Sequence, residues 1–154
     1  MRISCIAASL LLCLAACSEK PTAQHGRLIL ADGTHQSLSD YRGHWVVINY
    51  WAIWCKPCLK EIPHFNRLAR ERTNDVVVFG VDFDHGRDDV LAERMNSMGI
   101  QFPLLLQDPA SALDHPRPNV LPTTVIYDPQ GNLAATLLGD QTWESLNQAI
   151  GTPP

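Results

Sequence analysis

Two kinds of apolar run alternate along this chain, and their order predicts an α/β domain. Trp45 to Trp51 (Trp-Val-Val-Ile-Asn-Tyr-Trp) and Asp75 to Asp82 are β-branched, nearly continuous apolar runs. Such runs mark strands buried on both faces of a sheet. Between them Leu59, Ile62, Phe65, Leu68 and Ala69 recur at spacings of three and four, which predicts a helix over 58–72. Pro63 inside that helix is expected to kink it. Asp88 to Met98 predicts a second helix stopped at Gly99, Phe102 to Leu106 a shorter strand, and Trp143 to Ile150 a closing helix. Thr123 to Tyr127 and Leu133 to Leu138 read as two strands joined by the β-turn sequence Asp128-Pro129-Gln130-Gly131. Near the front, Gly26 to Ala31 suits a short strand before the turn Asp32-Gly33, and Ser37 to Tyr41 a helical turn ended by Gly43. Pro109, Pro116 and Pro118 make 107–121 an irregular surface segment. Strands alternating with helices and ending in a hairpin predict a mixed sheet flanked by helices. No internal repeat and no second domain is visible.

The first sixteen residues break this pattern. Met1-Arg2 gives a short positive start, and Ile3 to Ala16 is then almost wholly apolar or small, with no polar face. The run has the length of a secretory signal core and falls short of the roughly 20 residues that a membrane-spanning helix needs. A buried N-terminal helix is the alternative. Leu14-Ala15-Ala16-Cys17, followed at once by Ser18-Glu19-Lys20-Pro21, resembles the lipobox of bacterial lipoproteins. That resemblance implies cleavage before Cys17, lipid on its thiol and attachment to a bilayer, with ordinary secretion as the alternative. The expected organisation is a signal peptide over 1–16, a lipidated tether over 17–25, one domain over 26–150 and a short tail over 151–154. Composition agrees with a folded domain: of 154 residues, 45% are hydrophobic and 18% charged. A net charge of −4 with no basic patch argues against nucleic acid as a partner.

The leader also sorts the five cysteines. Cys5 and Cys13 lie within it and Cys17 at its end, which leaves Cys55 and Cys58 in the domain. The strand ending at Trp51 runs straight into the helix that follows this pair. Cys55 is therefore expected at the helix start, with Cys58 one turn inside. Unpaired backbone N–H groups and the positive end of the helix dipole there favour a thiolate on Cys55. Lys56 adds a nearby cation. The thiolate is the attacking species, and dithiol motifs in this setting ionise well below the free value of about 8.5. Cys58, further along the helix and more buried, is the natural resolving thiol. Pro57 suits the first helical turn, where its missing N–H would have had no partner.

The run Trp51-Ala52-Ile53-Trp54-Cys55-Lys56-Pro57-Cys58, with Glu61 and Pro63 beyond it, resembles the thioredoxin-like thiol–disulfide oxidoreductases of the bacterial envelope, the TlpA/ResA-like group. Every fixed position of W-A-x-W-C-x-P-C-x-x-E-x-P is matched, and Ile53 stands where the group often has Thr or Ser. Val120-Leu121-Pro122-Thr123-Thr124 resembles the segment that carries the group's cis-proline. The resemblance covers roughly 26–150. It implies a thioredoxin fold with Pro122 cis and packed beside the cysteine pair, and substrate backbone pairing next to Pro122 at Leu121. It also implies a periplasm-facing envelope location, exported disulfide-bearing polypeptides as substrates and a membrane thiol reductant as electron donor. No cofactor is implied beyond the Cys55–Cys58 disulfide. Some members deliver reduced cysteines for cytochrome c maturation. Ordinary thioredoxins place a buried carboxylate where this chain has Asn49, which cannot exchange a proton at neutral pH. Glu61 is then the candidate to move protons around Cys58, although a glutamate in a first helical turn also simply suits the dipole. Trp51 and Trp54 either shape the substrate surface or serve as core and as partial cover for the disulfide.

Other readings of the pair are weaker. A structural disulfide across a two-residue gap stabilises little, because the loop is so short. Zinc would need two more ligands of similar order, and histidines 25, 35, 44, 64, 85 and 115 are dispersed, so no metal site is assigned. Ala52 stands where a peroxiredoxin carries Thr or Ser, which argues against peroxide chemistry. An oxidase or isomerase of the same fold, and a copper-delivery module using both thiolates, remain as alternatives.

Overall fold

The computed structural model describes residues 26–86 and 88–151. Cys17, the leader and the tether lie outside the described residues. Among the described residues seven strands and three α-helices follow in order: β1 (Arg27–Ile29), β2 (His35–Ser37), β3 (Trp45–Trp51), α1 (Lys56–Glu71), β4 (Val76–Asp82), α2 (Asp88–Met98), β5 (Leu104–Leu105), β6 (Thr123–Tyr127), β7 (Leu133–Leu138) and α3 (Trp143–Ile150). The main sheet has the order β5-β4-β3-β6-β7. β3, β4 and β5 are parallel, β6 runs antiparallel to β3, and β7 runs antiparallel to β6. This is the expected mixed sheet, and the architecture is the thioredoxin fold.

The boundaries differ from the sequence reading where short-range chemistry outweighs periodicity. The helix of the cysteine pair begins at Lys56, two residues before the periodic pattern over 58–72, and Cys55 caps it at the helix start, where the strand-to-helix reading places it. It runs unbroken through Pro63, which lies on the exposed face, where water can reach the carbonyl that the proline leaves without a donor. β1 is shorter than 26–31, and the turn at Gly33 returns it into β2, a strand too short for any period to reveal. Ser37 caps the expected helical turn at Leu38–Tyr41, reciprocated by Asp40. The strand expected over 102–106 contracts to Leu104–Leu105.

Alternation along β3 sends Val47, Asn49 and Trp51 to one face of the sheet and Val46, Ile48 and Tyr50 to the other. On the first face Val47 and Trp51 pack with Ile62 and Phe65 of α1, Leu91 of α2 and Leu146 of α3. Gly80 of β4 is required there: a Cβ at that position would lie 2.5 Å from Leu104 Cδ2 and 3.0 Å from Trp51 Nε1. Among the described residues the second face is covered by no α-helix, and Leu38 and Tyr41 of the short helical turn pack against it. Leu28 of β1 and Leu113 of the 107–121 segment cover Val46, Ile48 and Tyr50 there. That segment is irregular, as expected, but it is not merely surface, since Ala110, Leu113 and His115 are buried in it.

Candidate active site

The site forms where β3 ends and α1 begins. Cys55 has an extended backbone and is the N-cap of α1, so its Sγ accepts a hydrogen bond from the Cys58 N–H at 3.2 Å. The two cysteines are joined as a disulfide with their Cα atoms 5.3 Å apart. Lys56 takes the first helical position on the exposed side and Pro57 the second. Both sulfur-bearing residues are buried, Cys58 completely. Cys55 is thus the residue aimed at the unpaired N–H groups of the helix start, the arrangement that stabilises negative charge on sulfur.

Leu121-Pro122 is a cis peptide bond. β6 pairs with β3 in the register Tyr50↔Thr123 and Asn49↔Thr124, so Pro122 immediately precedes the end of β6 that lies beside Tyr50, one residue before β3 ends at Trp51. The carbonyl of Pro122 is taken by the N–H of Gly139 at 2.9 Å. Among the described residues, the backbone N–H and C=O of Leu121 make no hydrogen bond.

Glu61 lies in the second turn of α1, fully buried, so its place is not explained by the dipole of a first turn. Its Oε1 accepts from Asn49 Nδ2 at 2.6 Å, and its Oε2 accepts from the backbone N–H of Gln141 at 3.0 Å. Burial is the dominant influence and pushes its pKa up to about 7, against the two hydrogen bonds that favour the carboxylate. A group poised there can hold or release a proton at neutral pH. Asn49 and Thr124, directly opposite on β3 and β6, bring two further buried polar atoms, Oδ1 and Oγ1, that find no partner among the described residues.

The tryptophans divide. Trp51 is core, wholly buried against Gly80. Trp54 is 62% exposed, next to Ile53 at 50%, and these two with Leu59 give the surface near the disulfide its apolar character. The indole N–H of Trp54 donates to Asp84 Oδ2 at 2.8 Å. Asp84 stands on a turn held by Asp82, whose carboxylate accepts from the Asp84 and Gly86 N–H groups and from Arg94. Sequence reasoning names Cys55, Cys58, Glu61, Trp54 and Pro122 as candidates; it does not name Asn49 as the donor to Glu61, nor Asp84 and Gln141 at all. The Asn49–Glu61 contact does have a signal in the chain, since a residue near the end of a buried strand faces the second turn of the helix that follows it. Asp84 and the backbone of Gln141 have none.

Comparison with known proteins agrees with this geometry. The model of the AhpC/TSA family matches residues 22–136. The thiol-disulfide oxidoreductase ResA of Bacillus thuringiensis is 30% identical over 116 residues, covering 75% of this chain and just under two thirds (66%) of that relative. A DsbF homologue from Corynebacterium diphtheriae superposes with a TM-score of 0.68 at 25% identity, over 80% of each chain. The exposed lipoprotein thioredoxin of Streptococcus pneumoniae superposes with a TM-score of 0.62 at 26% identity, over 79% of this chain and 94% of that one.

Proposed function

This chain belongs to the AhpC/TSA family, among its ResA-like thiol–disulfide oxidoreductases, and on that premise we propose that it reduces disulfides of exported polypeptides by dithiol exchange. The observation that carries the reading is Cys55 capping α1, with its sulfur on the Cys58 N–H, in disulfide with Cys58. In the reduced protein the Cys55 thiolate attacks one sulfur of the substrate disulfide, forming a mixed disulfide and expelling the other sulfur as a thiolate. The Cys58 thiolate then attacks Cys55, which closes the Cys55–Cys58 bond and frees the second substrate thiol. Glu61 accepts or returns the proton of Cys58 as it enters or leaves this exchange. The Leu121 backbone pairs with the extended substrate, while Trp54, Lys56 and Pro57 form the surface it meets. Ala52, buried three residues before Cys55, offers no hydroxyl to a peroxide, which favours disulfide exchange over peroxide reduction.

A membrane thiol donor re-reduces the pair, because an envelope compartment is kept oxidising kinetically. Lipid on Cys17 holds the domain at the bilayer. Among the described residues no helix is long and apolar enough to cross a membrane. Apocytochromes c awaiting haem attachment are one substrate class of the required kind. Direction is tested by the equilibrium reduction potential of the pair: about −270 mV supports reduction, and about −120 mV would make the protein an oxidant. Activity is tested by reduction of a model polypeptide disulfide, which Cys55→Ser should abolish; an undiminished rate in that variant would sink the mechanism.

A further inference from the structure

Arg117 lies in the irregular segment that closes the second face of the sheet, and no step above uses it. Its guanidinium donates in two directions. Nε donates to Asp108 Oδ2 at 2.8 Å, within its own segment. Asp108 is fixed there, because its other oxygen accepts from the Tyr50 hydroxyl at 2.8 Å and from the Ala110 N–H at 2.9 Å. One terminal nitrogen reaches the opposite wall, donating to the Phe83 carbonyl at 2.9 Å and meeting His85 Nε2 at 2.8 Å. A guanidinium only donates, so His85 Nε2 is the acceptor. The guanidinium carbon also sits 4.4 Å over the Phe83 ring.

Of the two segments that Arg117 joins, one holds the exposed indole beside the cysteine pair and the other leads into cis-Pro122. Phe83 and His85 belong to the turn after β4, and its Asp84 holds the exposed indole of Trp54. The Phe83 N–H is itself bonded to the Trp51 carbonyl, at the root of the cysteine loop, at 2.8 Å. His85 takes a left-handed backbone, φ 53°, which an L-residue rarely adopts without outside support, and its ring is one of the groups Arg117 engages. On the other side, Arg117 precedes by four residues the Leu121 backbone that leads into cis-Pro122. Both walls are irregular chain, without the ladder hydrogen bonds that would otherwise set their separation.

We propose that Arg117 is a positioning residue that fixes the spacing between the Trp54–Asp84 wall and the Leu121–Pro122 wall, and so sets affinity for substrates that must touch both. Extended polypeptides with a disulfide are such substrates; a small aromatic disulfide, which meets only the sulfur of Cys55, is not. This rests on the reductase reading above. Arg117 touches no reacting atom, so its loss should act on substrate binding rather than on sulfur exchange.

The test compares the full protein with Arg117→Ala and Arg117→Lys, on a polypeptide disulfide and on a small aromatic disulfide. The expected result is a KM for the polypeptide raised about ten-fold with kcat little changed, and no change toward the small disulfide. Lysine should behave as alanine does, since one ammonium cannot serve both walls in the fork geometry of a guanidinium. A second reading needs no catalysis: hydrogen exchange at the Trp54 indole N–H, assigned with Trp54→Phe, should quicken about ten-fold in both variants. An unchanged KM, an equal loss on both substrates, or full rescue by lysine would overturn the proposal. A native protein that reduced neither disulfide would overturn the reductase reading instead. The Trp54 exchange would then decide the brace alone, quickened exchange supporting it and unchanged exchange refuting it.

Discussion

Asn49 Nδ2 donates to Glu61 Oε1 at 2.6 Å, and both side chains are sealed from solvent in the layer between β3 and α1. A carboxyl group with a folded pKa near 7 instead of the ordinary 4.5 binds its proton more tightly in the folded chain than in the unfolded one. Between those two values the folded state holds more protons, so Glu61 costs stability progressively as pH rises from about 4.5 to about 7. In Glu61→Gln that contribution is gone. The stability of the native oxidised protein minus that of the variant, from denaturant melts at about pH 5 and about pH 8, should fall as pH rises. A difference independent of pH would show that Glu61 titrates normally. The oxidised form is the one to use, because neither cysteine then titrates.

Removing the amide should move Glu61 further in the same direction. Asn49 stabilises the carboxylate, so Asn49→Leu leaves burial opposed only by the Gln141 N–H, and the Glu61 titration should shift above its native midpoint. Carboxyl carbon chemical shifts followed against pH would show this; an unmoved midpoint would mean that the amide contact has no electrostatic weight.

Cys58 is fully buried one turn into α1, behind Cys55. Cys58→Ala should leave the first thiol exchange intact and halt the second, so a one-to-one mixed disulfide between Cys55 and a polypeptide substrate accumulates. Mass spectrometry under non-reducing conditions reads it directly. Absence of an adduct, with activity retained, would mean that Cys58 does not resolve the intermediate.

How much of this site is legible in the chain depends on the range of the chemistry. Cys55 and Cys58 are close in sequence and sit between a strongly apolar strand and a strongly periodic helix, so their placement at a helix start follows from local pattern alone. The cis bond before Pro122 is reached only through resemblance to a family, since nothing in Val120-Leu121-Pro122 by itself selects the isomer. Glu61 is legible as a residue but not as a buried one: counted from the first periodic position, Cys58, it falls in the first turn, whereas the helix begins at Lys56 and puts it in the second. The polar contacts of Trp54 with Asp84 and of Arg117 with Phe83 span 30 and 34 residues, and hydrogen bonds of that reach leave no periodic trace.

Gly80 is the tightest point of the fold near the site. It faces Asn49 across the parallel β3–β4 pair, and the Trp51 indole, Phe102 and Leu104 fill the space a side chain would take. Gly80→Ala should destabilise by about 1–3 kcal/mol through overpacking. Its effect on sulfur exchange should be small where the protein remains folded, because Trp51 is core. A neutral or stabilising result in thermal or denaturant melts would show that Leu104 and Trp51 can yield.

On the second face, buried Tyr127, His115 and Tyr50 form one line that ends on half-buried Asp108. The Tyr127 hydroxyl lies 2.6 Å from His115 Nδ1, His115 Nε2 lies 2.9 Å from the Tyr50 hydroxyl, and that hydroxyl donates to Asp108. Burial lowers the pKa of His115 from its ordinary 6.5, against the Asp108 carboxylate that raises it. The neutral ring then accepts a hydrogen bond from the Tyr127 hydroxyl at Nδ1 and donates from Nε2. A lowered pKa means that the unfolded chain protonates first on acidification, so this contribution is whole above about pH 6.5 and is lost as pH falls below it. Its sign opposes that of Glu61 in an overlapping window, and the native pH profile blends the two. His115→Leu separates them. Tyr50 keeps Asp108 as its acceptor, and the Tyr127 hydroxyl turns its one proton to the Leu113 carbonyl at 3.1 Å, so neither hydroxyl is stranded. Between about pH 5 and about pH 6.5 the native protein should lose stability on acidification relative to His115→Leu. Tyr50→Phe, in contrast, strands the Nε2–H of His115 and should cost about 1–3 kcal/mol. Parallel profiles for the native protein and His115→Leu would place the acid sensitivity elsewhere.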